Sequence, residues 1–341
     1  IKDFSGTPMD AAATRRDSLN SFPRIIDSTL SDENSYVQLI LSEEIFNLSN
    51  GPLSSSDFII VEFDQNVPDS GNAEDAIISS ITDVNNNLLT TGEDTIRLGI
   101  TLLNPPASGV ETIKIQPLTD FSIINEIGNP LKIRESSREF FLNDRFPPYI
   151  YPNTTLIDDT TSPLHTNYYL VIQTNEKIYT DTLNNEGISK VEISDFHLEF
   201  YNNGGNATNA FITGIYKDTS NHLLDPSGGD SIIFVQFSLF GALPSGVEEV
   251  EISPNSPASI YDESANPMLR TSTSGKVLLP DRLPPKINLP TADIADDNSY
   301  VIITLTEGVY GDISATTPVE PTDFFVEFMS NDGNATDAEV S

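Results

Sequence analysis

The chain repeats itself. Ser35-Tyr36-Val37-Gln38-Leu39-Ile40-Leu41-Ser42-Glu43-Glu44-Ile45-Phe46 returns as Ser299-Tyr300-Val301-Ile302-Ile303-Thr304-Leu305-Thr306-Glu307-Gly308-Val309-Tyr310, with a looser copy, Tyr169 to Tyr179, between them. The anchors Tyr36, Tyr169 and Tyr300 lie 133 and 131 residues apart, and each has Glu seven residues on (Glu43, Glu176, Glu307) and an aromatic ten on (Phe46, Tyr179, Tyr310). Ser56-Asp57-Phe58 matches Ser194-Asp195-Phe196 and Thr322-Asp323-Phe324, and Gly71-Asn72-Ala73 matches Gly205-Asn206-Ala207 and Gly333-Asn334-Ala335. Ser108-Gly109-Val110-Glu111 matches Ser245-Gly246-Val247-Glu248, Asn129-Pro130 matches Asn266-Pro267, and 142–148 matches 279–285 around Asp144-Arg145 and Asp281-Arg282. Collinear self-similarity of this kind marks tandem structural units. The expected division is a leader at 1–22, repeat 1 at 23–146, repeat 2 at 147–283 and an incomplete repeat 3 at 284–341.

Within a copy the period is two. Val37, Leu39 and Leu41 alternate with Tyr36, Gln38 and Ile40, which puts the first three on one face of a strand. Residues 58–63, 76–81, 95–103, 110–115 and 138–142 read as further short strands, separated by turn residues such as Asn50-Gly51-Pro52 and Pro105-Pro106-Ala107-Ser108-Gly109. With strands at Asp27 and Ile123, a copy of ~130 residues has about seven or eight strands, as a β-sandwich does. The expected fold is therefore all-β: tandem antiparallel sandwiches with no convincing helix. Pro147-Pro148 and Pro284-Pro285 fall between copies and predict short, semi-rigid linkers. Repeat 3 reaches Ser341 before its last strands, leaving an open apolar face and unpaired edges. Either the sequence is a piece of a longer chain, or another subunit supplies the missing strands.

Composition narrows the partners. Lys+Arg 17 against Asp+Glu 51 gives a net charge of −34, so nucleic acid and anionic membrane surfaces would be repelled. The 18 Phe and 11 Tyr supply cores that a disordered acidic tail lacks. No stretch approaches the roughly 18–20 apolar residues of a membrane span. Zero Cys removes disulfides, thiolate metal sites and Cys nucleophiles. The chain opens on Ile1 without an apolar signal segment; a removed secretion signal and a fragment both fit.

The Pro-rich start of a copy, the strand ending Leu41-Ser42-Glu43 or Leu305-Thr306-Glu307, the Asp-Phe strand and the Tyr261-to-Pro267 loop resemble bacterial and archaeal Ig-like repeats. Such domains tile large cell-surface proteins: adhesins, extracellular filaments and surface layers. The resemblance covers about 320 residues, from near Phe22 to Ser341. It implies an Ig-like sandwich, secretion, and a role in spacing, adhesion or lattice building. The partners it implies are other copies of the chain or further repeats of the same chain.

Catalytic patterns are missing from the sequence: there is no His-Glu-x-x-His, no phosphate-cradling Gly-x-x-x-x-Gly-Lys and no Gly-x-Ser-x-Gly. Of the three His, His197 occupies a position that is Ile59 and Phe325 in the other copies, so it is expected to pack in a strand; His165 and His222 lie in loops. No enzyme is expected. Glu43, Glu176 and Glu307 end the same strand in each copy, where each either caps a loop or gives oxygen to a cation. Acids also gather near the junctions: Asn143, Asp144, Asp158 and Asp159 at the first, and Asp281, Asp296 and Asp297, with Asp262 and Asn266 from the preceding loop, at the second. Ca²⁺ takes six to eight oxygens with relaxed geometry, so two readings of these acids stand: plain solvated acids, or Ca²⁺ at the domain ends as the one cofactor. No EF-hand loop is present. Asn206 and Asn334 head sequons in the same repeat turn, and Asn47 and Asn153 head two more. Two functional classes follow: a structural stalk, filament or surface lattice, or an adhesive module that recognises glycan or a neighbouring protein through an aromatic-rich loop. Tyr149, Tyr151, Tyr168 and Tyr169 are expected to pack instead.

Overall fold

A computed structural model describes residues 22–64, 71–152, 154–158, 167–183, 189–217, 224–288 and 293–340. The chain is all-β. One antiparallel sheet runs β1 (Ile25–Leu30), β2 (Tyr36–Asn47), β5 (Glu93–Leu103) and β4 (Asp75–Thr82), with β7 (Ile123–Asn125) continuing along the end of β2. A second sheet runs β3 (Phe58–Asp64), β6 (Thr112–Pro117) and β8 (Phe140–Phe141). The order is then repeated. β9 (Thr155–Asp158), β10 (Asn167–Ile178), β13 (Asp230–Gly241) and β12 (Ala207–Tyr216) form one sheet, and β11 (Phe196–Tyr201), β14 (Glu249–Pro254) and β15 (Val277–Leu278) form the other.

Alternation sets the register. Val37 faces Leu98 and Leu39 faces Ile96 across β2 and β5, and all four are fully buried. Leu170 faces Val235 and Ile172 faces Ile233 across β10 and β13, again fully buried. A one-residue slip would turn each set to solvent, at about 1.5–3 kcal/mol for every large apolar side chain exposed. The buried residues form two clusters without a shared member, one from Val37 to Leu142 and one from Ile150 to Leu279. Each draws on both sheets of its set, in the manner of a β-sandwich.

The recurring Asp-Phe motif is a turn. Asp57, Asp195 and Asp323 each accept the amide three residues earlier (Ser54, Glu192 and Glu320, 2.7–2.8 Å) and close a short 3-10 turn, after which the Phe starts an extended segment. In repeat 3 the turn forms, but the described strands are only β16 (Asp293–Ile294) and β17 (Val301–Ile302). Val301 and Phe324 are 53% and 38% exposed, whereas their counterparts Val37 and Phe58 are at 0% and 4%.

Two packing expectations are corrected. His197 lies on the solvent face of β11, 3.1 Å from Glu199. Its counterparts Ile59 and Phe325 are also exposed, so an apolar residue at this strand position did not mark the core. Tyr168 and Tyr169 are buried as expected, but Tyr149 is only half-buried and Tyr151 is exposed. His165, His222, Asp159 and the Asn153 sequon lie outside the described residues.

Candidate functional site

The first junction gathers three carboxylates. β10 carries Glu176 at its end, and a bridge between Tyr179 and Tyr261 fixes the next loop alongside it. In that loop Asp262 is fully buried and accepts the amides of Ser264 and Asn266, both at 2.8 Å. The Asn266 side chain donates to Asp262 Oδ2 at 2.8 Å and to the Asp144 carbonyl at 3.3 Å, tying the loop to the end of the preceding copy. Asp144 itself accepts the Phe146 amide at 2.9 Å. Carboxylate oxygens of Asp144, Glu176 and Asp262 all lie within 4.8 Å of one another, the only such group found among the described residues.

Burial and crowding shift all three in one direction. Burial, then the charges of Asp262 and Asp144, pushes Glu176 from the usual 4.5 up to about 7. Burial likewise raises Asp262 and Asp144, Asp262 being raised further by the Asp144 charge and Asp144 by that of Glu111. Such a site favours a shared proton or a bound cation. Its donors are hard oxygens with neither His nor Cys among them, which suits Ca²⁺ or Mg²⁺ over a softer metal. Asp144, Glu176 and Asp262 would hold the ion with one oxygen each, and water would complete the shell.

The first copy has a neutral version. Asn125 stands where the second has Asp262, and its amide donates to Glu43 Oε2 at 3.0 Å while its oxygen accepts Asn129 N at 2.7 Å. One amide there does what the second copy leaves to protons or a cation. Glu307 is exposed and joins no cluster among the described residues.

Sequence proximity misassigned several acids. Asp158 does not sit at the first junction: β9 pairs with the start of β10 (Tyr168↔Asp158), whereas Glu176 lies near its end, and a twelve-residue strand spans about 40 Å. Asp158 instead makes an ion pair with Arg282 at the far end of the second copy. Asp262 and Asn266 belong to the first junction, because the loop after Ile260 returns beside the end of β10. Asn143 is occupied within its own copy, through Asn34 (2.8 Å) and the Ser31 carbonyl (3.1 Å). Asp281 and Asp297 accept from their own loops, at Leu283 and Ser299, and Asp296 is exposed. Asn206 and Asn334 are exposed, while the Asn47 side chain is held in its turn by Ser49, Gly51 and Pro52.

Two further acids explain the recurring motifs. Glu111 and Glu248 are fully buried. Glu111 accepts the amides of Ala73 (2.8 Å) and Ser108 (2.9 Å), and Glu248 those of Ala207 (2.9 Å) and Ser245 (2.8 Å). Each thus clamps the Gly-Asn-Ala turn to its own loop. A Cβ on Gly71 would come within 2.9 Å of Glu111, and one on Gly205 within 2.1 Å of Glu248. Gly109 and Gly246 hold φ near +80° beneath Asp144 and Asp281. The pairing of Ser-Gly-Val-Glu with Gly-Asn-Ala was visible as repetition; that one grips the other needed the fold.

A cleft of about 390 Å³ opens beside the carboxylates at the junction. One wall is the ring ladder Phe146–Tyr149–Tyr151, packed edge to face at 6.1 and 5.1 Å. Asn72, Ser108 and Asp144 of the first copy and Asn175 and Glu176 of the second are among its other lining residues. Comparison with family models, with curated proteins and with solved structures finds no match to this chain.

Proposed function

We propose that the chain is a structural repeat region of a secreted cell-surface protein, built of Ig-like sandwiches that form a stalk, extracellular filament or surface lattice, without enzymatic activity. What carries this reading is how the recurring residues are used. The motifs shared by the first two copies serve as turn closures, as in Asp57 and Asp195, and as buried clamps, as in Glu111 and Glu248. Chemistry that recurs in order to hold backbone belongs to a spacer rather than to a repeated active site. At the first junction Asn266 reaches across to Asp144, and a divalent cation, Ca²⁺ in an extracellular setting, completes the bond between copies through Asp144, Glu176 and Asp262. The charge of −34 keeps neighbouring molecules soluble until assembly. Negative-stain microscopy of the native material tests the reading. Filaments, sheets or straight rods are expected; compact, isolated globules would overturn it.

A further inference from the structure

The cleft beside the carboxylates has a chemistry of its own. Its lining comes from both copies, a placement that small-molecule sites favour, and its volume of about 390 Å³ lies within their range. Tyr151 is 37% exposed, and Tyr149 and Phe146 are half-buried, so the ring ladder is open to an incoming molecule. Ring faces attract the weakly polar C–H face of a flat ligand. Among the polar lining groups the Asp144 and Glu176 carboxylates accept, while the Ser108 hydroxyl donates to Glu111 and the Asn175 amide to Glu176. Among the described residues no Lys or Arg lines the cleft, which disfavours phosphates, sulfates and acidic sugars. A purely apolar ligand would shield the carboxylates from water and leave them the Phe146 amide and the Asn175 side chain as donors.

We propose that this cleft binds a neutral pyranose sugar, its C–H face against the exposed Tyr151 ring and its hydroxyls donating to Asp144 and Glu176. A pyranose joins an apolar face to a rim of hydroxyl donors, the combination the two sides of the cleft present. Asp144 and Glu176 also belong to the cation site proposed above, so this inference rests on the junction being closed. In that case the copies both space the molecule and hold a glycan at the seam.

Saturation-transfer NMR on the full chain tests it, with glucose, galactose, mannose and N-acetylglucosamine as probes and spermidine as a cationic comparator. Binding is read in the wild type with Ca²⁺ and in Asp262→Asn with chelator, where the junction is expected to stay closed, so a sugar effect is separated from a cation effect. At least one sugar is expected to receive saturation. Its affinity is expected to fall about tenfold or more in Tyr151→Ala. Tyr151 is exposed enough for the alanine variant to fold, and a matching urea midpoint checks this. Saturation of no sugar, saturation of spermidine alone, or binding unchanged in Tyr151→Ala would each overturn the proposal.

Discussion

Glu248 is fully buried and charged, and it remains so because backbone amides surround it. Burial alone would raise its pKa, but the amides of Ala207 and Ser245 outweigh that and hold it below the usual 4.5. Removing it in Glu248→Ala leaves those amides unsatisfied and is expected to cost about 3 kcal/mol, read from the urea midpoint. Because the folded-state pKa is the lower one, its contribution is present above about pH 4.5 and lost as pH falls through the folded value. Tyr168 makes the opposite case. Its hydroxyl is buried and has no hydrogen-bond partner among the described residues, and burial and the Glu248 charge push it up to about 12. Tyr168→Phe keeps the ring stacked on Phe237 at 5.5 Å and is expected to stabilise by about 1 kcal/mol in the same urea assay. Asp262→Asn copies the neutral arrangement of Asn125. Glu176 has a folded-state pKa raised to about 7, so its cost grows from about pH 4.5 and is full above about pH 7. Without cation, Asp262→Asn is therefore expected to raise stability by about 1–2 kcal/mol near pH 8 and to change it little near pH 4.

At the scale of elements, the strands were legible because burial on one face imposes a period of two. β1 to β8 all fall where alternation and turn residues placed them, within a few residues. What escaped was everything that depends on where a strand ends in space. Asp158 and Glu176 flank the same strand pair but sit at opposite ends of it, and Asp262 reaches Glu176 from 86 residues away in sequence. His197 misled because its apolar counterparts lie on the outer face, where exposed Ile and Phe are ordinary. Repeat 3 shows what alternation alone cannot do. Its pattern matches β2, yet Val301 and Ile303 are 53% and 39% exposed. Amide hydrogen exchange is expected to be slow through 37–41 and 170–172 and fast through 301–305. Equal protection in all three segments would show that repeat 3 is covered in solution.

At the scale of the molecule, the first junction decides whether the copies form a rod or a loose string. Pro147-Pro148 limits the linker, and Asn266 bonds across to the Asp144 carbonyl, but three crowded carboxylates oppose docking once ionised. A divalent cation would turn that repulsion into the strongest contact at the seam. Small-angle X-ray scattering of the full chain near neutral pH, with Ca²⁺ and then with chelator, measures this directly. With Ca²⁺ the profile is expected to fit a single extended shape, and with chelator to broaden towards a mobile ensemble, while Asp262→Asn stays in one shape under both conditions. Identical wild-type profiles with and without Ca²⁺ would contradict a cation-locked junction.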